Sequence, residues 1–309
     1  MVAIALVIVF VSFSIVISVA VPLQILKPKA SQLLQDIVLY GKTRGKRKAL
    51  TPLQKLEVPK RWFSHFYFVG ILVNFPLIVL TVQVYVSLMT PPKFICDALD
   101  VVFIGSTVRS VDAFSCVITL ILVCIQVSRR CVECVWVSVY SNSTIGILQY
   151  IVGLLFYTLL GMSVLAESPE LCGFKGLSLT SNHYQIQWFH ALGIFIFLWA
   201  SREQNRLHVM LAILRKVNAK STDPSSFYRH RIPRGSWFEY VSCPHYTMEI
   251  LIYIAMTTTQ GFVNITFLWL SIFVVINQVL YAHITHQWYL AEFSQDYPKN
   301  RFALIPHVF

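Results

Sequence analysis

Long apolar runs almost free of charge follow one another along this chain, and that pattern leaves few folds open. Val2 to Leu26 contains no charged residue, and Phe63 to Met89 contains none unless His65 is protonated. A helix of about 20 mostly apolar residues crosses the hydrocarbon core of a bilayer. Val2–Leu26 has no basic start and is longer than the apolar part of a secretory signal, so it reads as an anchor helix. Ala113 to Val127, closed by Arg129 and Arg130, reads as a third span, with Thr144 to Ala166 as the fourth and Ile186 to Ser201 as the fifth. Thr247 to Ile284 is too long for one span, and Gly261 with Asn264 marks the break between a sixth and a seventh. Leu99 to Ile104 is too short and too charged to cross alone. The expected architecture is an all-α integral membrane protein. It is a seven-transmembrane-helix bundle forming one membrane domain over residues 1–309.

Charge tests that count independently. Lys27 to Arg61 holds ten Lys and Arg, and the 202–246 segment holds eight. Taken over alternate loops, 22 of the 25 basic residues fall on one face and three on the other. Positive loops stay in the cytosol. The N-terminus is then luminal and the C-terminus cytosolic, and residues 27–61 form a basic cytosolic loop suited to anionic headgroups. An even number of spans would break this alternation. The formal charge of +11 on a chain that is 56% hydrophobic therefore reads as an orientation signal. It does not point to a nucleic-acid partner, and no obligate protein partner is inferred.

The cysteines and sequons add little chemistry. Cys131 and Cys134 have CxxC spacing, but no second pair or nearby His accompanies them, so they read as structural and no metal is expected. Cys96 and Cys172 both fall on the luminal face and can pair. Asn142-Ser143-Thr144 is a glycosylation sequon on the cytosolic side, where it would go unused. Asn264-Ile265-Thr266 lies too close to the bilayer.

Polar groups inside membrane helices are costly and mark either helix–helix hydrogen bonds or function. His65, Gln126, Glu249 and His286 all fall at or near cytosolic span ends. Together they outline a polar site opening toward the cytosol. Arg202, Arg206, Arg215, Arg229, Arg231 and Arg234 lie in the following cytosolic segment, and arginine suits bidentate contacts to phosphate. No GxGxxG and no GxxxxGK[ST] is present, so a bound dinucleotide would not sit on a Rossmann or P-loop fold.

Several segments carry a family resemblance. They are Arg231-Ile232-Pro233, Glu239-Tyr240-Val241-Ser242-Cys243-Pro244-His245-Tyr246 with Glu249, His286-Gln287-Trp288-Tyr289, and Asp296-Tyr297-Pro298-Lys299-Asn300-Arg301. The C-terminal region, 202–309, resembles the steroid 5-alpha-reductase family. Val58-Pro59-Lys60-Arg61-Trp62-Phe63-Ser64-His65-Phe66-Tyr67, Tyr40-Gly41-Lys42-Thr43 and Arg129-Arg130 with Glu133-Cys134 are similar to the branch acting on polyprenols and polyprenals. The resemblance spans roughly residues 36 to 309.

The resemblance implies a seven-helix bundle that takes NADPH from the cytosolic side and reduces a double bond conjugated to a carbonyl. It implies polyprenal or polyprenol as the lipid substrate, a multi-pass place in the endoplasmic reticulum membrane, and a step of dolichol formation that supports protein N-glycosylation. By position it assigns cofactor contacts to Arg130, Gln204, His208, Arg215, Arg231, His245, Glu249, His286 and Tyr289. Gln204 and His208 differ in length or charge from the steroid branch. His65-Phe66 replaces that branch's Gln-Glu pair, and Val127 stands roughly where its partner Tyr would be. His65, Phe66 and Val127 are therefore the expected substrate contacts, an apolar lining suited to an extended isoprenoid. Hydride needs an electron-poor carbon, which an α,β-unsaturated aldehyde offers and an allylic alcohol does not. The carbonyl oxygen then needs a donor, and His65, with Tyr67 or Tyr289, is the candidate. A helix-packing hydrogen bond is the plainer reading of His65. A steroid or long-chain enoyl reductase of the same family is the alternative function.

Overall fold

The computed structural model describes residues 56–103, 109–140, 143–172, 186–219 and 230–306. The expected first span, residues 27–55, Asn142 and Arg229 lie outside them. The described helices are α1 (Phe63–Tyr85), α2 (Lys93–Phe103), α3 (Ala113–Val132), α4 (Ile147–Leu165), α5 (Trp188–Ala219), α6 (Pro244–Thr258) and α7 (Ile265–Phe293). Two short strands, β1 (Glu57–Pro59) and β2 (Thr144–Gly146), pair antiparallel with Glu57 opposite Gly146. Four segments are long and apolar enough to cross a membrane: Lys60–Tyr85, Ala113–Val137, Ile147–Leu165 and Ile265–Phe293.

Local chemistry sets the boundaries. The Asp112 carboxylate caps α3 by accepting the Ser115 N–H at 2.9 Å, as an N-cap aspartate does. Pro244 opens α6 at a position where its missing N–H costs nothing. The expected break near Gly261 and Asn264 is present. Gly261 takes φ +61°, and Asn264 caps α7 by accepting the Phe267 N–H at 2.9 Å. Asn264 is buried, which leaves its sequon no access to glycosylation.

Three boundaries differ from the sequence reading. Residues 144–146 form a strand, and α4 starts only at Ile147. The third apolar run continues as helix to Val132 and passes into a π-helical turn, Glu133–Val137. The largest change is in α5, whose 32 residues continue well past Ser201. At 1.5 Å per residue such a helix is about 48 Å long and must project beyond a bilayer core. Leu207, Leu211 and Leu214 keep helical spacing through the extension, and Leu207 is fully buried. Arg202, Arg206 and Arg215 thus sit on a helix rather than in a loop.

α5 packs along α6, α1 against α3 and α4, and α6 against α7. Small and polar residues let backbones approach, as expected in lipid, where apolar contact alone does not drive association. Asn74 donates to Gly70 O at 2.7 Å on its own helix and to Tyr157 O at 3.1 Å across to α4. Gly161 faces it so closely that an added Cβ would lie 2.1 Å from the Asn74 side-chain oxygen. Thr119 meets Thr259 at 2.9 Å, and Thr257 meets Ser271 at 2.8 Å.

One end of the bundle is held by Glu167, which accepts the Thr266 N–H at 2.7 Å, the Ile265 N–H at 3.1 Å and the Ser110 hydroxyl at 2.7 Å. A carboxylate at a helix N-terminus is favoured by both the unpaired N–H groups and the dipole. At the same end Cys96 of α2 is bonded to Cys172, 76 positions further along the sequence, with Cα atoms 5.7 Å apart. Closing a loop of that length is worth about 4 kcal/mol through the unfolded chain. Cys172→Ser is expected to lower the thermal midpoint of the purified protein and to abolish its sensitivity to reductant, whereas an unchanged midpoint would contradict this.

Candidate active site

The opposite end of the bundle holds the charged chemistry. Three helices each bring a polar stripe at one-turn spacing, the spacing that places residues on one face. They are Gln126 and Arg130 on α3, Gln204 and His208 on α5, and His245, Glu249 and Tyr253 on α6.

Glu133 is the hub. Its carboxylate, 1% exposed, pairs with both Arg129 and Arg130. It also accepts from Asn205 at 2.9 Å and lies 2.7 Å from His208 Nδ1. Two cations on one buried anion leave a net positive charge, and a second, half-buried carboxylate lies close by. Gln204 donates to Glu249 Oε2 at 2.5 Å, and Gln126 reaches Glu249 Oε1 at 3.4 Å. Arg129 ties the two halves together by donating to Gln126 at 2.7 Å and Gln204 at 2.5 Å. Buried polar groups are tolerated when their partners are present.

Arg130 extends the network into the bundle. One guanidinium nitrogen donates to the Tyr67 hydroxyl at 3.2 Å, and the group lies 5.3 Å from that ring's centre. Tyr67 is buried and packs edge-on against Tyr157, with centroids 4.9 Å apart. With Arg130 donating to it, the Tyr67 oxygen leaves its own hydrogen to be given elsewhere.

Toward the surface the network opens into a cavity of about 150 Å³ lined by Lys60, Arg215, His230, Arg231, Ser242, His245 and Tyr289, among others. Arg215 donates to Val139 O at 2.7 Å, which fixes the helix extension over this opening. The His208 and His245 rings, 5.7 Å apart, join the cavity to the buried network. The far wall is a clasp. Arg301, fully buried as a side chain, donates to Pro233 O at 2.9 Å and to Glu239 at 3.2 Å. The Gly235 N–H, and then Arg301, hold the Glu239 carboxyl below its usual range. Gly235 takes φ +88°, a conformation that glycine adopts without strain.

Most of the expected cofactor residues therefore lie on one track. Arg130, Gln204, His208 and Glu249 are in the buried network, and Arg215, Arg231, His245 and Tyr289 line the cavity. His286 lies beside them, with its Nδ1 2.6 Å from the Ser242 hydroxyl. His65 lies apart from these groups. Its Nδ1 is 2.9 Å from the Tyr150 hydroxyl, and its ring is 5.2 Å from that of Trp62. Phe66 packs on Tyr150 and Tyr157, and fully buried Val127 packs on Gly70. Glu133, Arg129 and Lys60 complete the track without having been singled out from the sequence. For Glu133 a signal existed: carboxylates three and four residues after basic ones on a helix pair with them.

The residues suit a nicotinamide dinucleotide. A cationic cavity can take its phosphates, and half-buried Glu249 can accept from the amide of its ring. The cavity as it stands is smaller than such a ligand needs, so the whole dinucleotide enters only with side-chain movement.

Known proteins agree with this. The family described as 3-oxo-5-alpha-steroid 4-dehydrogenase matches residues 143–309. A polyprenal reductase of Homo sapiens is 37% identical over 295 residues, covering 93% of this chain and 90% of that one. Those of Xenopus tropicalis and Danio rerio are 36% and 34% identical, covering 88% and 89% of their own lengths. More than half of the chain matches the family, and relatives align along nearly their whole length. The chain belongs to the steroid 5-alpha-reductase family.

Proposed function

We propose that the protein is an oxidoreductase that reduces the α,β double bond of polyprenal to give dolichal, using NADPH. The observation that carries this reading is its likeness, over about nine-tenths of both chains, to proteins named polyprenal reductase. The polar track described above lies where such a reaction needs it. Reading NADPH rather than NADH rests on the cavity, where Lys60, Arg215 and Arg231 offer three cations to an additional phosphate.

The cofactor supplies a hydride equivalent. The protein's own groups must hold the dinucleotide, meet the charge that develops on the aldehyde oxygen, and keep water out. Arg215, Arg231 and Lys60 would hold phosphates. Glu249, oriented by Gln204 and Gln126, would accept from the carboxamide. Tyr67 is the best-supported donor to the aldehyde oxygen, because Arg130 donates to its oxygen and so directs its hydrogen away from itself. His65 and Tyr289 are then supporting groups, His65 through Tyr150 at the helix ends and Tyr289 at the cavity wall. Phe66 and Val127 offer only apolar surface, which suits an isoprenoid. The rest of a long isoprenoid would run in lipid along the exposed apolar faces of the bundle.

Within the same reading, the whole chain forms one membrane domain of seven spans in the endoplasmic reticulum membrane. α1 starts and α7 ends at the network end, so one further span before α1 places the N-terminus at the other. The face poor in Lys and Arg carries the Cys96–Cys172 bond, which suits an oxidising lumen. The network end is then cytosolic, where dinucleotide is available.

The test is selectivity. Purified protein with NADPH is expected to reduce polyprenal, leave polyprenol untouched, and act weakly or not at all on a 3-oxo-4-ene steroid. Turnover of the steroid alone would replace this function with the family's other one.

A further inference from the structure

Tyr253 is a large buried side chain whose hydroxyl has no place in the network. It is 1% exposed, and its oxygen has no hydrogen-bond partner among the described residues. A phenylalanine would fill the same space, since the ring already packs against Phe156 at 5.9 Å. Leaving a buried hydroxyl unpaired costs about 1–3 kcal/mol. Such a standing cost calls for a reason, and functional sites are where it is found.

Its position supplies the reason. Tyr253 lies one helical turn after Glu249 and two after His245, on the face of α6 that carries the dinucleotide residues. The Phe156 ring joins it to Tyr157 at 5.1 Å, and Tyr157 packs on Tyr67 at 4.9 Å. Two buried hydroxyl-bearing rings thus border one aromatic cluster from two helices. Tyr67 comes from α1 with its oxygen already accepting from Arg130, and Tyr253 comes from α6 with no partner among the described residues. Each has a hydrogen to give. Sites that stabilise a developing oxyanion commonly use two such donors.

We propose that Tyr253 is a second hydrogen-bond donor to the carbonyl oxygen of the conjugated aldehyde, completing with Tyr67 a two-hydroxyl oxyanion site. This rests on the enoyl-reductase reading above. As hydride adds to the β carbon, the π pair of the double bond moves toward the carbonyl and negative charge gathers on oxygen. Tyr253 holds that charge without losing its proton. Protonation of the α carbon then restores the aldehyde, so the sum is one hydride and one proton added across the double bond.

The experiment is Tyr253→Phe in purified full-length protein, measured beside wild type on polyprenal and on a 3-oxo-4-ene steroid. Turnover is compared on whichever wild type reduces, because both substrates present a conjugated carbonyl. Expected are a kcat about 100-fold lower, unchanged NADPH affinity by fluorescence titration, and a thermal midpoint equal to or above that of wild type. A pure packing role cannot lower activity while sparing or raising stability. Turnover within threefold of wild type would overturn the proposal. So would a loss that tracks a lower midpoint or weaker NADPH binding. Wild type inert on both substrates would instead remove the enoyl-reductase reading, and the donor role with it.

Discussion

Glu133→Ala is expected to destabilise the protein by about 3–5 kcal/mol, the cost of leaving a buried charge without its partner. The cause is specific. Glu133 is 1% exposed and is the carboxylate shared by Arg129 and Arg130, each only 16% exposed. Removing it leaves two guanidinium groups facing each other and His208, with Glu249 reachable only through Gln126 and Gln204. The π-helical turn that presents Glu133 loses the ion pairs it supplies, and α3 and α5 lose their main polar link at this end of the bundle. Glu133→Gln keeps the shape and one acceptor oxygen, so its loss should be smaller. Thermal midpoints in detergent, with and without NADPH, check both. A Glu133→Ala protein as stable as wild type would mean that the arginines find other partners and that the hub is no hub.

Tyr67→Phe should have the largest effect on catalysis with the least effect on folding. Loss of one oxyanion donor typically costs 10²–10³-fold in kcat. The ring would keep its packing against Tyr157 and under Arg130, since both contacts involve the aromatic body. What disappears is the hydroxyl that Arg130 addresses. The expected result is a fall of about two orders of magnitude in kcat with KM for polyprenal little changed, the pattern of an interaction made mainly in the transition state. A variant with raised KM and normal kcat would place Tyr67 in ground-state binding only.

The gross fold was readable because lipid imposes a crude code. Apolar length gave the described spans, and Gly261 with Asn264 gave the turn between α6 and α7. What misled was charge. Arg202, Arg206 and Arg215 read as loop residues because basic residues mark the ends of spans. The Leu207, Leu211 and Leu214 spacing that carries α5 onward is ordinary amphipathic periodicity and competes poorly with that signal. The same bias hid the hub. Arg129 and Arg130 were readable as an orientation signal, and Glu133 fell within a CxxC spacing, so their pairing was overlooked. Most of the polar track was legible only through family resemblance, since its residues come from three helices distant in sequence. His65 shows the converse limit. A histidine near a span end looks chemical, yet its nearest partners are Tyr150 and Trp62 at the bundle's rim. Tyr253 could not have been found without the packing, because a tyrosine in an apolar helix is unremarkable until its hydroxyl is seen to have nothing to bond.

Delivery of hydride to the β carbon of a conjugated aldehyde, whose oxygen is held by tyrosine hydroxyls, leaves a mark in the product. Polyprenal turned over with NADPH deuterated at its transferable hydrogen reads that mark from the position of the label. One deuterium is expected at the β carbon of a saturated product that is still an aldehyde. Deuterium on the carbonyl carbon, in an alcohol that keeps its double bond, would contradict it.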